Sequence, residues 1–224
     1  MTGPASARAT LRLAHRGDHR DAPENSLAAF ATALALPACD GLEFDVRLSR
    51  DGVPVVVHDE TLERVQERPD LVAALTAEDL GGHGIPTLEN VLAVVPRSAF
   101  LDVELKVDAG SAVVEALRLG RGERLENTVI SSFDPGALMG IRTLERAWPC
   151  WLNAESLDQA VVDRAVALGC RGVAAEWRAI NRPSLGLAWA AGLEVAAWTV
   201  TEPADYRRLA RLGVVAICVE GRAL

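Results

Sequence analysis

The chain contains a single lysine, Lys106; its other strong bases are all arginine. Acidic residues outnumber Lys and Arg by 31 to 23, leaving a formal net charge of −8. That balance argues against an extended phosphate-binding surface, so no nucleic acid is expected as a partner. No apolar run reaches the roughly 18 residues needed to span a bilayer, so no stable membrane insertion is expected either. The opening stretch MTGPASARATLRL lacks an apolar core of signal-peptide length, which makes the cytoplasm the expected compartment. Cysteine is sparse and scattered (Cys39, Cys150, Cys170, Cys218), with no CxxC pair and no zinc spacing. Reduced core thiols are the reading, rather than a disulfide framework or a zinc centre. Neither GxGxxG nor GxxxxGK[ST] occurs, so no nucleotide phosphate loop follows the first strand. No GxSxG surrounds Ser132, which reads as a polar group at a strand end rather than a nucleophile.

What is present is alternation. Apolar, β-rich runs at 10–15, 41–48, 99–106, 127–132, 149–154, 172–177, 194–200 and 214–220 alternate with segments of helical periodicity. The helical segments include 26–36, which Ser26 or Asn25 can cap, and 87–95, with Pro86 and Thr87 at its start. A short extra run, VPVVVH (53–58), follows the second strand after an SRDG turn. Continuous strand–helix alternation implies a parallel sheet, and eight units favour a closed (β/α)8 TIM barrel over an open doubly wound sheet. The 224 residues show no composition break, so residues 1–224 read as one domain. Residues 59–85 form the one long excursion, a short lid with TAEDLG as its helix candidate.

In such a barrel the C-terminal strand ends converge on one mouth, where active sites sit. Glu43 and Asp45 lie two apart, hence on one face of the second strand, and Glu104 and Lys106 share a face in the same way. Converging carboxylates repel and raise each other's pKa. A divalent cation removes that penalty, and all-oxygen ligands suit Mg²⁺, Ca²⁺ or Mn²⁺. His15 ends the first strand and His58 ends the 53–58 run. Two histidines beside a cation, with Arg16 and Lys106 nearby, suit cleavage of a phosphate ester.

The motifs HRG (15–17), PENSLAAF (23–30), LEFDVRLSRDGVPVVVHD (42–59), IPTLENVL (85–92), VELK (103–106), SSFDP (131–135) and WTV (198–200) together resemble the glycerophosphodiester phosphodiesterases. The resemblance runs over nearly the whole chain. It implies a TIM barrel, one divalent cation, and hydrolysis of a small-molecule glycerophosphodiester to glycerol 3-phosphate and an alcohol. By position, Glu43, Asp45 and Glu104 resemble the metal ligands, and His15 and His58 the acid–base pair. Arg16 and Lys106 resemble phosphate contacts, Glu24 and Asn25 mouth residues, and Trp198 an aromatic wall against the glycerol or leaving group.

The chain departs from the family pattern at the end of the last strand, where Val219 and Glu220 replace a usual threonine and aspartate. If Glu220 shapes the glycerol site, a change there should alter KM or the preferred leaving group. It also departs after His58, where TLERVQERPD stands. Lys106 has a second reading as a charge partner for Glu104. His19 and His83 read as loop residues. Trp148, Trp151, Trp177 and Trp189 read as packing, with Trp151 and Trp177 able to reach the mouth. Two alternative functions share the scaffold. One is a phospholipase D-like hydrolase of lysophospholipids, for which LVAAL (71–75) is the apolar candidate. The other is a non-catalytic barrel that binds phosphorylated ligands.

Overall fold

The computed structural model describes residues 10–224. The stretch MTGPASARA, which carried most of the reading of the N-terminus, lies outside them. In chain order the elements are β1 (Leu11–His15), α1 (Leu27–Leu34), β2 (Gly41–Leu48), β3 (Pro54–Val56), α2 (Glu63–Gln66), α3 (Ala77–Gly82), α4 (Leu88–Val94) and β4 (Phe100–Leu105). They continue as α5 (Gly110–Arg121), β5 (Thr128–Ser132), α6 (Pro135–Leu144), β6 (Cys150–Ala154), α7 (Gln159–Ala167), β7 (Gly172–Glu176), α8 (Arg182–Ala190), β8 (Glu194–Val200), α9 (Pro203–Leu212) and β9 (Ala216–Val219).

All strands except β3 pair in parallel around a ring that closes between β1 and β9 and between β1 and β2. This is the expected (β/α)8 barrel. β3 stands outside the ring, antiparallel to β2 with Val56 opposite Val46. Strands of such a barrel are buried on both faces, which is why they read as near-continuous apolar runs. Outward residues such as Phe44, Val103 and Ile130 meet Phe30, Val113 and Leu138 of the helices. Side-chain caps start several helices: Ser26 accepts from the Ala29 amide, and Thr76 and Thr87 each form a reciprocal capping box. At Gly41 a Cβ would lie 2.0 Å from the Phe100 carbonyl oxygen, so only glycine lets β2 and β4 approach there.

The lower barrel interior is filled by Leu13, Val129, Trp151, Ala174, Ala196, Ala216 and Cys218. Three alanines make room for one tryptophan. Trp151 stacks on Phe100 with ring centroids 6.1 Å apart, and its indole N–H donates to Glu194, the first residue of β8, at 2.7 Å. Trp151 therefore points to the floor and does not reach the mouth. Trp177 also fails to reach it: its ring lies under the guanidiniums of Arg178 and Arg208, the latter on the outer helix α9. Trp148 is buried, whereas Trp189 is 43% exposed and is not core packing.

The excursion is more ordered than a single helix. Besides α3 at TAEDLG, it holds the one-turn α2 and a 3₁₀ turn at Val72–Ala74. Leu62, Val72, Leu80 and Ile85 join Val55 and Val57 in a small core of their own. Val72 of LVAAL is thus buried, and Leu71 is the large apolar side chain of that run left exposed.

Candidate active site

Strand register sets the site. His15, Glu43 and Asp102 are neighbours in one row across β1, β2 and β4. Asp45, Glu104 and Ser131 form the row above, toward the strand ends. Glu43, Asp45 and Glu104 offer oxygens that lie within 4.8 Å of one another. The sequence-based metal set is therefore brought together. Asp102 is a fourth buried acid beneath it that the sequence reading missed, although it shares the period-two face of Glu104.

Two cations face these acids. Arg16 lies in left-handed backbone (φ 57°), a conformation unusual for a non-glycine residue. Its amide donates to the Glu43 carbonyl at 2.8 Å, and its Nε lies 3.1 Å from Asp45 Oδ2. Gly17 follows at φ 84°, where a Cβ would strike the Ala29 backbone at 2.7 Å. HRG is thus the turn that brings Arg16 over the carboxylates. Lys106 Nζ lies 3.0 Å from Asp45 Oδ1 and also pairs with Glu104. The charge-partner reading of Lys106 therefore describes what it touches in the protein itself. Asn25, also at positive φ, donates to Asp45 Oδ2 at 2.9 Å, while the cap of α1 falls to Ser26.

Burial and three neighbouring carboxylates push Glu43 well above the usual carboxylate range. Burial pushes Asp102 up to about 7 and raises Glu104 against the pull of Lys106. Burial would raise Asp45 too, but Lys106 and Arg16 outweigh it and hold it down. Four carboxylates against Arg16 and Lys106 leave a formal charge of −2. Among the described residues, Glu43 Oε1 and Asp102 Oδ1 are buried without hydrogen-bond partners. An all-oxygen donor set with a −2 deficit fits one hard divalent cation.

Each histidine is held by a carboxylate on Nδ1. His15 Nδ1 pairs with Glu220 Oε1, which turns Nε2 toward Glu43 Oε2 at 3.7 Å. His58 Nδ1 lies 2.7 Å from Asp59 Oδ1. Such pairing fixes the tautomer that carries its free nitrogen into the site. Burial lowers the His58 pKa, so its imidazole is neutral near pH 7 and able to accept a proton. Glu220, where the chain departs from the family pattern, is the carboxylate that holds His15.

Arg64 of α2 ties the excursion to the mouth. It donates to both Glu24 oxygens, at 2.9 and 2.6 Å, and to Asp59 at 2.6 Å. Burial works to raise Glu24, but Arg64 and Arg16 together hold it down at about 2. Glu24 is therefore a bridge between two arginines. Trp198, neighbour of Glu176 in register, donates its indole N–H to the Ala174 carbonyl at 2.9 Å. Its ring meets that of Phe133 edge to face, with centroids 5.4 Å apart. Ser132 is fully buried and donates to the Leu105 carbonyl at 2.6 Å, a strand-end polar group. His83, read as a loop residue, follows α3 and lines a cavity with His58.

Among the described residues no helix is long and apolar enough to cross a membrane. A glycerophosphodiester phosphodiesterase from Caldanaerobacter subterraneus is 33% identical over 60% of this chain, and the match spans 63% of that relative, under two thirds of its length. A phosphodiesterase from Oleispira antarctica, solved in complex with the product sn-glycerol-3-phosphate, superposes with a TM-score of 0.84 at 26% identity, covering 94% of this chain and 93% of that one. A glycerophosphodiester phosphodiesterase from Agrobacterium tumefaciens superposes at 0.79 with 25% identity, covering 96% and 97%. The model of the glycerophosphoryl diester phosphodiesterase family matches residues 15–221, from the first histidine to just past Glu220, and the chain belongs to that family.

Proposed function

We propose that the protein is a cation-dependent phosphodiesterase that hydrolyses glycerophosphodiesters to glycerol 3-phosphate and an alcohol. The observation that carries this reading is the carboxylate triad Glu43, Asp45 and Glu104 flanked by two histidines, each held at Nδ1 by a carboxylate. The Oleispira relative with bound product supports the same substrate class.

The triad would hold one divalent cation, Mg²⁺, Ca²⁺ or Mn²⁺, which supplies charge neutralisation at the phosphoryl oxygens. Arg16 and Lys106, at the rim of the triad, bind and orient the phosphate. One histidine removes a proton from the attacking hydroxyl as its oxygen bonds to phosphorus. The other gives a proton to the alkoxide as the phosphorus–oxygen bond to the leaving alcohol breaks. Over the full reaction one water is consumed. Trp198 and Phe133 face the organic part of the substrate. The lysophospholipid alternative is disfavoured because Val72 of LVAAL is turned into the excursion's own core. Four free thiols, three of them buried, support a reducing compartment, the cytoplasm.

The test is glycerol 3-phosphate release by chelator-stripped protein with and without added cation. Release is expected with cation alone, and His15→Ala and His58→Ala should each lower kcat by about 10²–10⁴-fold. Full activity in stripped protein, or in either alanine variant, would sink the reading.

A further inference from the structure

A cavity of about 250 Å³ lies between the excursion and the loop that follows β1. Its wall includes Glu24, His58, Asp59, Arg64, Gln66 and His83. It adjoins the carboxylate cluster, because Glu24 pairs with Arg16 and Arg16 with Asp45. It therefore begins at a histidine read above as an acid–base group and extends away from the triad. Nothing in the reaction as described so far uses this space.

We infer that this cavity receives the leaving alcohol and selects a compact, uncharged polyol against a quaternary ammonium alcohol or a long acyl chain, an inference that rests on the phosphodiesterase reading. Three features carry it. The first is size: about 250 Å³ falls below the roughly 300–1,000 Å³ of sites for drug-sized ligands, so a head group fits and an extended chain does not. The second is the lack of an aromatic face. No Trp, Tyr or Phe lines the cavity, and quaternary ammonium groups are recognised by aromatic faces.

The third feature is charge. The wall has two carboxylates, Glu24 and Asp59, and neither is free to meet a cation. Arg64 donates to both Glu24 oxygens and to Asp59, Arg16 donates to Glu24, and Asp59 also pairs with His58. An ammonium group entering here would find the carboxylates taken and a guanidinium beside it. The remaining polar side chains of the wall, Asn25, Thr61, Gln66 and His83, offer hydrogen-bonding groups suited to hydroxyls. Arg64 is thus a specificity-determining residue: it cancels the two acids that would otherwise attract a cationic head group.

The experiment measures kcat/KM from glycerol 3-phosphate release on four diesters, with glycerol, inositol, ethanolamine or choline as the leaving alcohol. The wild type should prefer the glycerol or inositol diester to the choline diester by at least about tenfold, the scale that pocket contacts supply. Arg64→Met removes the guanidinium shared by the two carboxylates, leaving Glu24 paired with Arg16 alone and Asp59 with His58 alone, and should shift the ratio toward ethanolamine and choline by at least about threefold. Gln66→Glu leaves the arginine network in place and adds an unpaired carboxylate, so it should shift the ratio the same way even if Arg64→Met does not fold. A wild type that handles the choline diester as well as the polyol diesters overturns the inference and leaves the phosphodiesterase reading standing. An unchanged ratio in the folded variants does the same. Glycerol 3-phosphate release from none of the four would overturn the phosphodiesterase reading and this inference with it.

Discussion

Cation binding should be measurable as fold stability, and the size of the effect should depend on pH. Among the described residues the buried group of Glu43, Asp45, Asp102 and Glu104 meets two permanent cations, Arg16 and Lys106, a formal −2, with the titratable His15 3.7 Å from Glu43. Without a cation, protons make up the deficit, since burial holds Asp102 at about 7 and Glu43 well above its ordinary value. Both carboxyls bind protons more tightly folded than unfolded. Asp102 therefore keeps its proton in the folded state between about pH 4 and 7, and cation-free stability falls as pH rises through that window. For Asp102 alone, from about 3.8 to about 7, the loss is on the order of 4 kcal/mol. A cation binds the deprotonated carboxylates, so its gain is small at low pH and large above neutrality.

At a cation concentration of about 100 times Kd the stabilisation is about 2.7 kcal/mol. A chain of 224 residues gains roughly 2–4 °C in Tm per kcal/mol, so the rise should be about 5–11 °C at pH near 8. The assay is thermal unfolding of chelator-stripped protein at pH near 5.5 and near 8, titrated with Mg²⁺, Ca²⁺ and Mn²⁺. Glu43→Gln should abolish the rise. Asp102→Asn should keep the rise near pH 8 and flatten the pH slope of the cation-free protein. A Tm insensitive to all three cations would refute the metal assignment. An equal rise at both pH values would refute the proton-deficit argument.

Three further outcomes follow from single contacts. Glu220→Gln removes the carboxylate on His15 Nδ1, so kcat should fall about 10–100-fold with KM nearly constant; a change in KM alone would return Glu220 to the glycerol site. Lys106→Met deletes a positive charge 3.0 Å from Asp45 and should tighten cation binding while lowering kcat/KM, and Lys106→Arg should cost at least about tenfold, or roughly 1.4 kcal/mol; wild-type kinetics in the arginine variant would show that any cation suffices there. Gly41→Val places atoms 2.0 Å from the Phe100 carbonyl on the neighbouring backbone, so the loss should exceed the roughly 1–3 kcal/mol usual for overpacking, and a Tm within a degree or two of wild type would contradict the close approach.

The barrel was legible because every ring strand is buried on both faces and so leaves an apolar run between helix caps. The carboxylate triad was legible because period two fixes which face a side chain takes, as for Glu43 with Asp45. Period two does not fix height. Trp151 shares the inward face with Asn153, yet its ring turns to the floor because Ala174, Ala196 and Ala216 leave space there and Glu194 accepts its N–H. Asp102 lies one pleat below Glu104 and belongs to the proton balance rather than the triad, a distinction that only neighbours on β1 and β2 reveal. Charge compensation is less legible still. Arg64 and Glu24 are forty positions apart, one in the excursion and the other ahead of α1. Their pairing turns a mouth residue into the neutralised wall of a cavity. Hydrophobic pattern is written locally and survives in one sequence. The pairing of buried charges is set by which loops the closed barrel brings together, so the residues governing specificity, Arg64 above all, became visible only once the ring had closed.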